Sequence, residues 1–456
     1  MRAQNLFLVI ASYVFYGWWD WRFLFLIFAS SAIDFLIGKK LGASTNERHR
    51  KTLMWTSVLI NLGILCAFKY FGFFVDSFSI LLDSVGFQVN PFTLEVILPV
   101  GISFYTFQTM SYSIDIYKRR MQPDHDYVAF FAFVSFFPQL VAGPIERARN
   151  LLPQMHVQRQ FEFDKAIDAT KQILWGFFKK MVVADNCANI VNEIYGASES
   201  LNSTTLLMGA FFFSFQMYGD FSGYSDIAIG LARLFGFKLS RNFAYPLFAK
   251  SFPEFWRRWH ITLTNWFRDY VYIPMTLANR SAIGKLRNTI VLFVLIGFWH
   301  GANLTFVIWG VLNACLFIPS LFSDFFKGTH VRYQKKPLGL PYPGEFIRMI
   351  FVFTISTLGL ILFRSEDIFG AINYYQGLLN FTDYGGIKIN SYALITTTGF
   401  VVILQGVEWI GRFSEIPLKY LLDKRPAFVQ LLFYYLLLMF IFFFAGKSQE
   451  YIYFQF

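Results

Sequence analysis

Apolar stretches alternate with short polar loops from one end of the chain to the other. They run over about 5–19, 23–38, 53–75, 93–117, 127–144, 168–184, 203–219, 222–237, 288–299, 302–322, 346–363, 392–411 and 427–446. Most are long enough, at about 1.5 Å per helical residue, to cross or nearly cross a hydrocarbon layer of roughly 30 Å. The pattern therefore predicts an all-α polytopic membrane protein forming one integral-membrane domain over 1–456. The first two stretches are short, which suits tilted, paired or partly spanning helices. The chain opens on the apolar run Leu6 to Trp19 with no small-residue cleavage site before the next stretch, so a retained first helix is expected.

Three segments depart from the simple alternation. The stretch 127–144 is interrupted by Pro138, Gly143 and Pro144, and a re-entrant element is expected there, needing protein or water around its irregular backbone. From Asn288 to Ser323 there is no carboxylate, lysine or arginine. A straight helix of that length would overrun the apolar layer. The segment must turn, and His300-Gly301-Ala302-Asn303 carries the turn chemistry. The third segment, 251–273, reads as one amphipathic helix. Ser251-Phe-Pro-Glu254 has the form of a capping box with an early proline. Phe255, Trp259, Trp266 and Tyr270 then recur at helical spacing, with Arg257, Asn265 and Arg268 on another face. Such a helix suits the headgroup plane. His260 falls on its apolar side, where an unpaired polar group is costly, so it should face a partner or a wet cavity.

Composition agrees with the pattern. Only 15% of residues are charged and 55% are hydrophobic, against about 25% charged in soluble domains. Of the 456 residues, 59 are Phe, and bulky apolar side chains suit lipid contact while Trp and Tyr suit the interface. The net charge of +11 sits in short loops, which fits lipid headgroups and topology control and excludes nucleic acid. Lys39, Lys40, Arg48, Arg50 and Lys51 follow the second stretch; Lys118, Arg119 and Arg120 follow the fourth; 76–92 has no Lys or Arg. This places the N-terminus, 39–52 and 118–126 in the cytoplasm. The region from Glu146 to Lys171 is basic again, although one crossing should have moved it outside, which is a second reason to expect 127–144 to be re-entrant. Cys66, Cys187 and Cys315 show no paired spacing and read as buried small hydrophobes.

Candidate chemistry narrows to two histidines. His49, His125, His156 and His330 lie in polar or charged loops and should be solvated, whereas His260 and His300 have apolar surroundings. There is no His-Glu-x-x-His pattern, so no metal is expected. A phosphate-cradling glycine loop and a Gly-x-Ser-x-Gly elbow are absent. A histidine acting as general base on a hydroxyl in a dry, aromatic slot remains. It suits acyl transfer, with Asn303 and backbone N–H groups steadying the oxyanion. The stretch Gln216 to Asp226 holds two carboxylates, Asp220 and Asp226. Its glycines and serines permit close helix packing, and its carboxylates could equally form a polar cavity wall that orients a histidine. A transporter or flippase is the competing class, and a scaffold for glycan synthesis a third. Sparse intramembrane charge and the lack of an evident internal repeat count against transport.

Several runs resemble the membrane-bound O-acyltransferase family, in particular its bacterial branch typified by the alginate O-acetylation membrane subunit. They are Leu98–Phe107, Phe136–Ile145, Asp220–Asp226, Glu254–His260 with Trp266–Tyr270, Phe298–Asn303 and Tyr451–Phe456, the strongest lying within 98–145 and 216–310. The resemblance implies roughly eleven spans, with re-entrant and interfacial helices, around a central funnel. It places the family's catalytic histidine on His300 and its second histidine on His260. Trp299, Asn303, Arg257, Arg258, Asn265, Asp220 and Asp226 become candidate substrate- or donor-binding residues, with Arg257, Arg258 and Arg268 able to meet donor phosphates or lipid headgroups. It further implies a multi-pass protein of the bacterial inner membrane with no bound cofactor. An acyl thioester such as acetyl-CoA would be the cytoplasmic donor, an exported polysaccharide the acceptor, and an SGNH-hydrolase-like periplasmic protein the partner. Transfer of D-alanine to teichoic acid or of acetyl to peptidoglycan are the enzymatic alternatives. Two departures leave the acceptor open. Met275-Thr-Leu-Ala stands where the alginate-type pattern has Gly-Gly before Asn-Arg, and Asn313-Ala314 stands where His-Gly is common.

Overall fold

The computed structural model describes residues 1–87, 98–198, 201–323, 339–380, 385 and 389–454. His330, part of the loop 76–92, the first residues of the stretch 93–117 and Gln455-Phe456 lie outside the described residues. Among the described residues every regular element is a helix. Seven helical runs are long and apolar enough to cross a membrane: Arg2–Ala43, Glu47–Ser84, Ala282–His300, Leu304–Phe322, Pro343–Arg364, Ser391–Gly411 and Ala427–Phe444. The chain, read from its sequence as one domain, packs as two compact units, 1–163 with 231–240, and 164–230 with 241–456.

In the first unit, α1 (Arg2–Asp20) and α2 (Leu24–Ala43) are joined by one tight turn. Asp20 is extended there, and its carboxylate accepts the Arg22 N–H. The third helix, α3 (Glu47–Leu65), runs through a π-helical turn into α4 (Phe71–Ser84). The next, α5 (Ile102–Tyr117), is buried along nearly its whole length and packs on α2 and α3. The polar groups at that contact satisfy one another. Asp34 accepts from Ser57 Oγ, from Asn61 Nδ2 at 2.7 Å and from Ser113 Oγ at 3.3 Å. The stretch 127–144 is broken as expected. Helix α6 (Tyr127–Ser135) stops at Phe136, and α7 (Phe137–Leu140) restarts with Pro138 in its first turn. Val128, Ala129, Phe130, Phe133 and Phe136 are buried, so protein shields this irregular backbone. A short helix, α8 (Ala148–Met155), packs on α5 and α6. Arg50 donates to the Ile116 carbonyl at 2.9 Å and the Tyr117 carbonyl at 3.1 Å, and Arg119 pairs with Glu47. The two basic loops assigned to one side of the membrane thus meet.

In the second unit, α9 (Phe163–Phe177) passes through a π-helical stretch, Phe178–Ala184, into α10 (Asp185–Gly196). The two stretches expected at 203–219 and 222–237 are instead one helix, α11 (Ser203–Leu234). Its glycines do not break it, because they face another helix at close range. A Cβ on Gly223 would stand 2.8 Å from the Gly176 carbonyl oxygen, and a Cβ on Gly176 would stand 2.7 Å from that of Gly223. Small residues here let two backbones touch.

The expected amphipathic helix over 251–273 is also corrected. It divides into α12 (Phe252–Arg258), α13 (Ile261–Phe267), a π-helical stretch at Arg268–Tyr272 and α14 (Ile273–Ala278). His260 stands between the first two in the left-handed region, φ 41° and ψ 51°. The Ile261 N–H leaves the helical ladder for the Asn242 carbonyl at 2.9 Å. Pro253, Glu254, Trp256, Thr262, Leu263, Trp266 and Phe267 are buried, so one side of α12 and α13 packs inside protein, whereas Arg268–Tyr272 and α14 bury no residue. The capping box is half formed. Ser251 accepts the Glu254 N–H, while the Glu254 carboxylate turns to the N–H of Lys250.

The uncharged segment 288–323 turns where expected. Helix α15 (Ala282–His300) ends at His300, and α16 (Leu304–Phe317) returns against it, followed by α17 (Pro319–Phe322). Gly301 is needed at the turn because a Cβ there would run into the Phe306 ring. The remaining helices are α18 (Pro343–Arg364), α19 (Ile368–Leu378), α20 (Ser391–Gly411), α21 (Pro417–Leu422) and α22 (Ala427–Phe444). Of the three thiols, only Cys187 is buried. Cys66 and Cys315 are exposed on outward faces of apolar helices, contrary to expectation.

Candidate active site

His300 is placed by the turn it terminates. It is 4% exposed and enclosed by rings: Trp299 at 4.9 Å between centroids, Phe363 at 5.0 Å, Trp309 at 5.5 Å and Tyr453 at 5.5 Å. His260 is 1% exposed, with Phe221 edge-on at 4.6 Å, Trp299 at 5.8 Å and Tyr453 at 6.3 Å. Trp299 and Tyr453 therefore touch both imidazoles. The structure brings together the two histidines that the sequence had singled out, in one aromatic cage.

The protonation of His260 follows from its neighbour. Asn242 Oδ1 accepts from Thr262 Oγ1 at 2.9 Å and from Thr262 N at 3.3 Å, and Asn242 Nδ2 donates to Ser225 Oγ at 3.3 Å. The oxygen of Asn242 thus faces the ring, and His260 Nδ1, 3.0 Å away, must carry the proton that it donates. In a neutral imidazole this leaves Nε2 with the free lone pair. Nε2 is buried and has no hydrogen-bond partner among the described residues.

His260 lies outside the seven long apolar helices, and burial pushes its imidazole down to about 3, so the ring is held uncharged. The unfolded chain then binds more protons than the folded one between about pH 3 and pH 6.5, and stability rises with pH across that window. Stability is complete above pH 6.5 and is lost as pH falls toward 3. Thermal midpoints of the detergent-solubilised protein should decline over this range, and His260→Phe should flatten the decline.

His300 also lines a pocket. Leu312, Leu316, Val352, Phe353 and Leu360 give it apolar walls. Asn313, Ser214, Thr357 and Tyr453 supply polar atoms, and Ser214 Oγ lies 2.8 Å from Thr357 Oγ1. An apolar pocket with a few convergent polar groups is the usual form of a small-molecule site. His260 is not among the residues that line it.

Other sequence candidates fall elsewhere. Asn303 does not face the cavity: its Oδ1 caps α16 through Thr305 N at 3.0 Å, and its Nδ2 donates to the Glu366 carbonyl at 2.5 Å. Both ends of the amide are committed, so an oxyanion role is replaced by a helix cap. Among the described residues neither Asp220 nor Asp226 bonds to a histidine; each pairs with a buried lysine, Lys180 at 2.8 Å and Lys179 at 2.8 Å. The stretch between them nevertheless serves the site, since Phe221 packs on the His260 ring and Ser225 fixes Asn242. Arg258 is held by Glu254 at 2.6 Å. Arg257 is exposed, as is Arg268, which pairs with Asp269 at 2.7 Å; Asn265 is half-buried outside the cavity lining. Trp299 belongs to the cage. Of the loop histidines, His49, His125 and His156 are exposed as expected, His156 also pairing with Asp124 at 2.6 Å. Sequence reasoning missed Asn242, whose isolated position in a loop gave no signal. It quoted Tyr453 only as part of a terminal motif.

Known proteins are similar to this chain over much of its length. The profile of the membrane-bound O-acyltransferase family matches residues 6–363. The probable alginate O-acetylase AlgI of Azotobacter vinelandii is 36% identical over 426 residues, covering 91% of this chain and 82% of that protein. The peptidoglycan O-acetyltransferase of Helicobacter pylori is 32% identical over 402 residues, covering 82% and 73%. The teichoic acid D-alanyltransferase of Bacillus subtilis is 28% identical over 250 residues, covering 52% and 62%. A match of this extent, on a chain whose two buried histidines share one cage, makes this multi-pass membrane protein a member of the membrane-bound O-acyltransferase family and its chemistry the transfer of an acyl group to a hydroxyl.

Proposed function

We propose that the protein moves an acetyl group from an acyl thioester, such as acetyl-CoA on the cytoplasmic side of the bacterial inner membrane, to a hydroxyl of an exported polysaccharide. His300 is the general base, and His260 supports the site with its neutral ring. The observation that carries this reading is the position of His300, which is buried among rings and opens onto the apolar-walled cavity described above. A base in such a slot can take the acceptor's proton as the oxygen attacks the thioester carbonyl. The polysaccharide follows from the relatives, whose names specify alginate and peptidoglycan. An SGNH-hydrolase-like periplasmic protein is proposed as the partner that receives or forwards the acyl group. Neither bound cofactor nor metal enters the proposal.

Thioester consumption by the purified protein tests it, with acetyl-CoA as donor and alginate or peptidoglycan fragments as acceptor. Turnover that depends on acceptor is the expected result. Passage of a solute across reconstituted vesicles without thioester loss would instead favour a transporter.

A further inference from the structure

Lys179 and Lys180 are adjacent, yet both are buried and paired with carboxylates. In an ordinary α-helix neighbouring side chains diverge by about 100°, so two in a row seldom point inward. Here they lie in the π-helical stretch Phe178–Ala184, a widening often found at functional sites. Lys179 reaches Asp226 and Glu408. Lys180 reaches Asp185 at 2.7 Å and Asp220 at 2.8 Å, and donates to the Gln449 carbonyl at 3.1 Å.

The segment that Lys180 holds comes from far along the chain. After α22 ends at Phe444, the residues from Ala445 to Tyr451 form no regular element, so their course is fixed from outside. Met181 accepts the Gly446 N–H at 2.8 Å. Asn186 donates to the Phe444 carbonyl at 2.9 Å. The second oxygen of Asp220 accepts the Ile452 N–H at 2.7 Å. The next residue is Tyr453, whose ring contacts both histidines and lines the cavity.

Buried ion pairs are poor sources of stability, since apolar replacements of similar volume are often as stable. A pair that also binds backbone atoms of a distant segment fixes position. We propose that Lys180 and Asp220 are positioning residues for acyl transfer: together they clamp the segment after α22 so that Tyr453 closes the site beside His260 and His300. This inference rests on the acyl-transfer reading above.

The test uses the full-length protein with Cys66, Cys187 and Cys315 replaced by serine and Ile452→Cys as a probe. Position 452 is buried, so a membrane-permeant maleimide should label it slowly while the clamp holds. Asp220→Ala should free the segment, raise labelling about tenfold or more, and lower kcat about 100-fold, as expected for a site misplaced by roughly 1 Å. The KM for acetyl-CoA should change little. Asp220→Asn keeps an oxygen for the Ile452 N–H but lacks the charge, and should fall between; it decides the matter if Asp220→Ala does not fold. Loss of kcat with the introduced thiol still protected would overturn the proposal, as would free labelling with kcat intact. If the parent protein consumes no thioester, the acyl-transfer reading fails, while labelling still reports whether Asp220 holds the segment.

Discussion

Replacing His300 with alanine should reduce acyl transfer by about 10²–10⁴-fold, the range usual for loss of a general base. That is about 2.7–5.4 kcal/mol of transition-state stabilisation. The acceptor hydroxyl must lose its proton as it attacks, and among the described residues no other titratable side chain lines the cavity apart from Tyr453. Trp299, Trp309, Phe363 and Tyr453 would remain around the vacated position, so the fold should persist. Membrane insertion and the size-exclusion profile should match the parent protein. Because the base acts only as the bond forms, the KM for the thioester should change far less than kcat. Undiminished transfer by a properly inserted His300→Ala protein would remove His300 from the mechanism.

The largest loss of stability should come from Lys179→Met. Its ammonium lies 2.8 Å from Asp226 and 3.1 Å from Glu408, and the Glu408 side chain is only 1% exposed. Tyr218 donates to both oxygens of Glu408 at 2.9 and 2.8 Å, which holds that carboxylate in place. Removing the cation leaves two carboxylates facing each other out of water, and breaking such a buried pair costs about 3–5 kcal/mol. Unfolding in detergent should show it directly. Adding Glu408→Gln to Lys179→Met should recover part of the loss, because the charge left stranded is then gone. Two losses that simply add would mean the groups are not coupled.

Much of this was legible in the sequence where local chemistry decides structure. The uncharged run 288–323 had to turn, and it turns at His300–Asn303. Pro138 announced the break after α6. Long-range contacts decided the rest. The 3.6-residue spacing of aromatics over 251–273 is real, but it continues across a left-handed His260 that Asn242 holds from another loop. No periodicity records that bond. Apolar content divides 203–237 into two stretches where there is one helix, while Gly219 and Gly223 mark the close helix packing that their residue type permits. Asn303 was read for catalysis when its position just before α16 already described a cap. The two aspartates had been weighed as orienting a histidine, and the partner they have instead, a pair of lysines from α9's continuation, lies too far along the chain for spacing to reveal.

The widened turn at Phe178–Ala184 has a consequence for how this protein can vary. Its extra residue per turn sets the angular register of everything downstream. Deleting one residue there would restore an ordinary pitch, swing one ammonium away from its carboxylates and pull the far strap out of line. Lys179 and Lys180 give this stretch its chemistry, and the count of residues through it sets where they point. Length as well as identity is what this short stretch must keep.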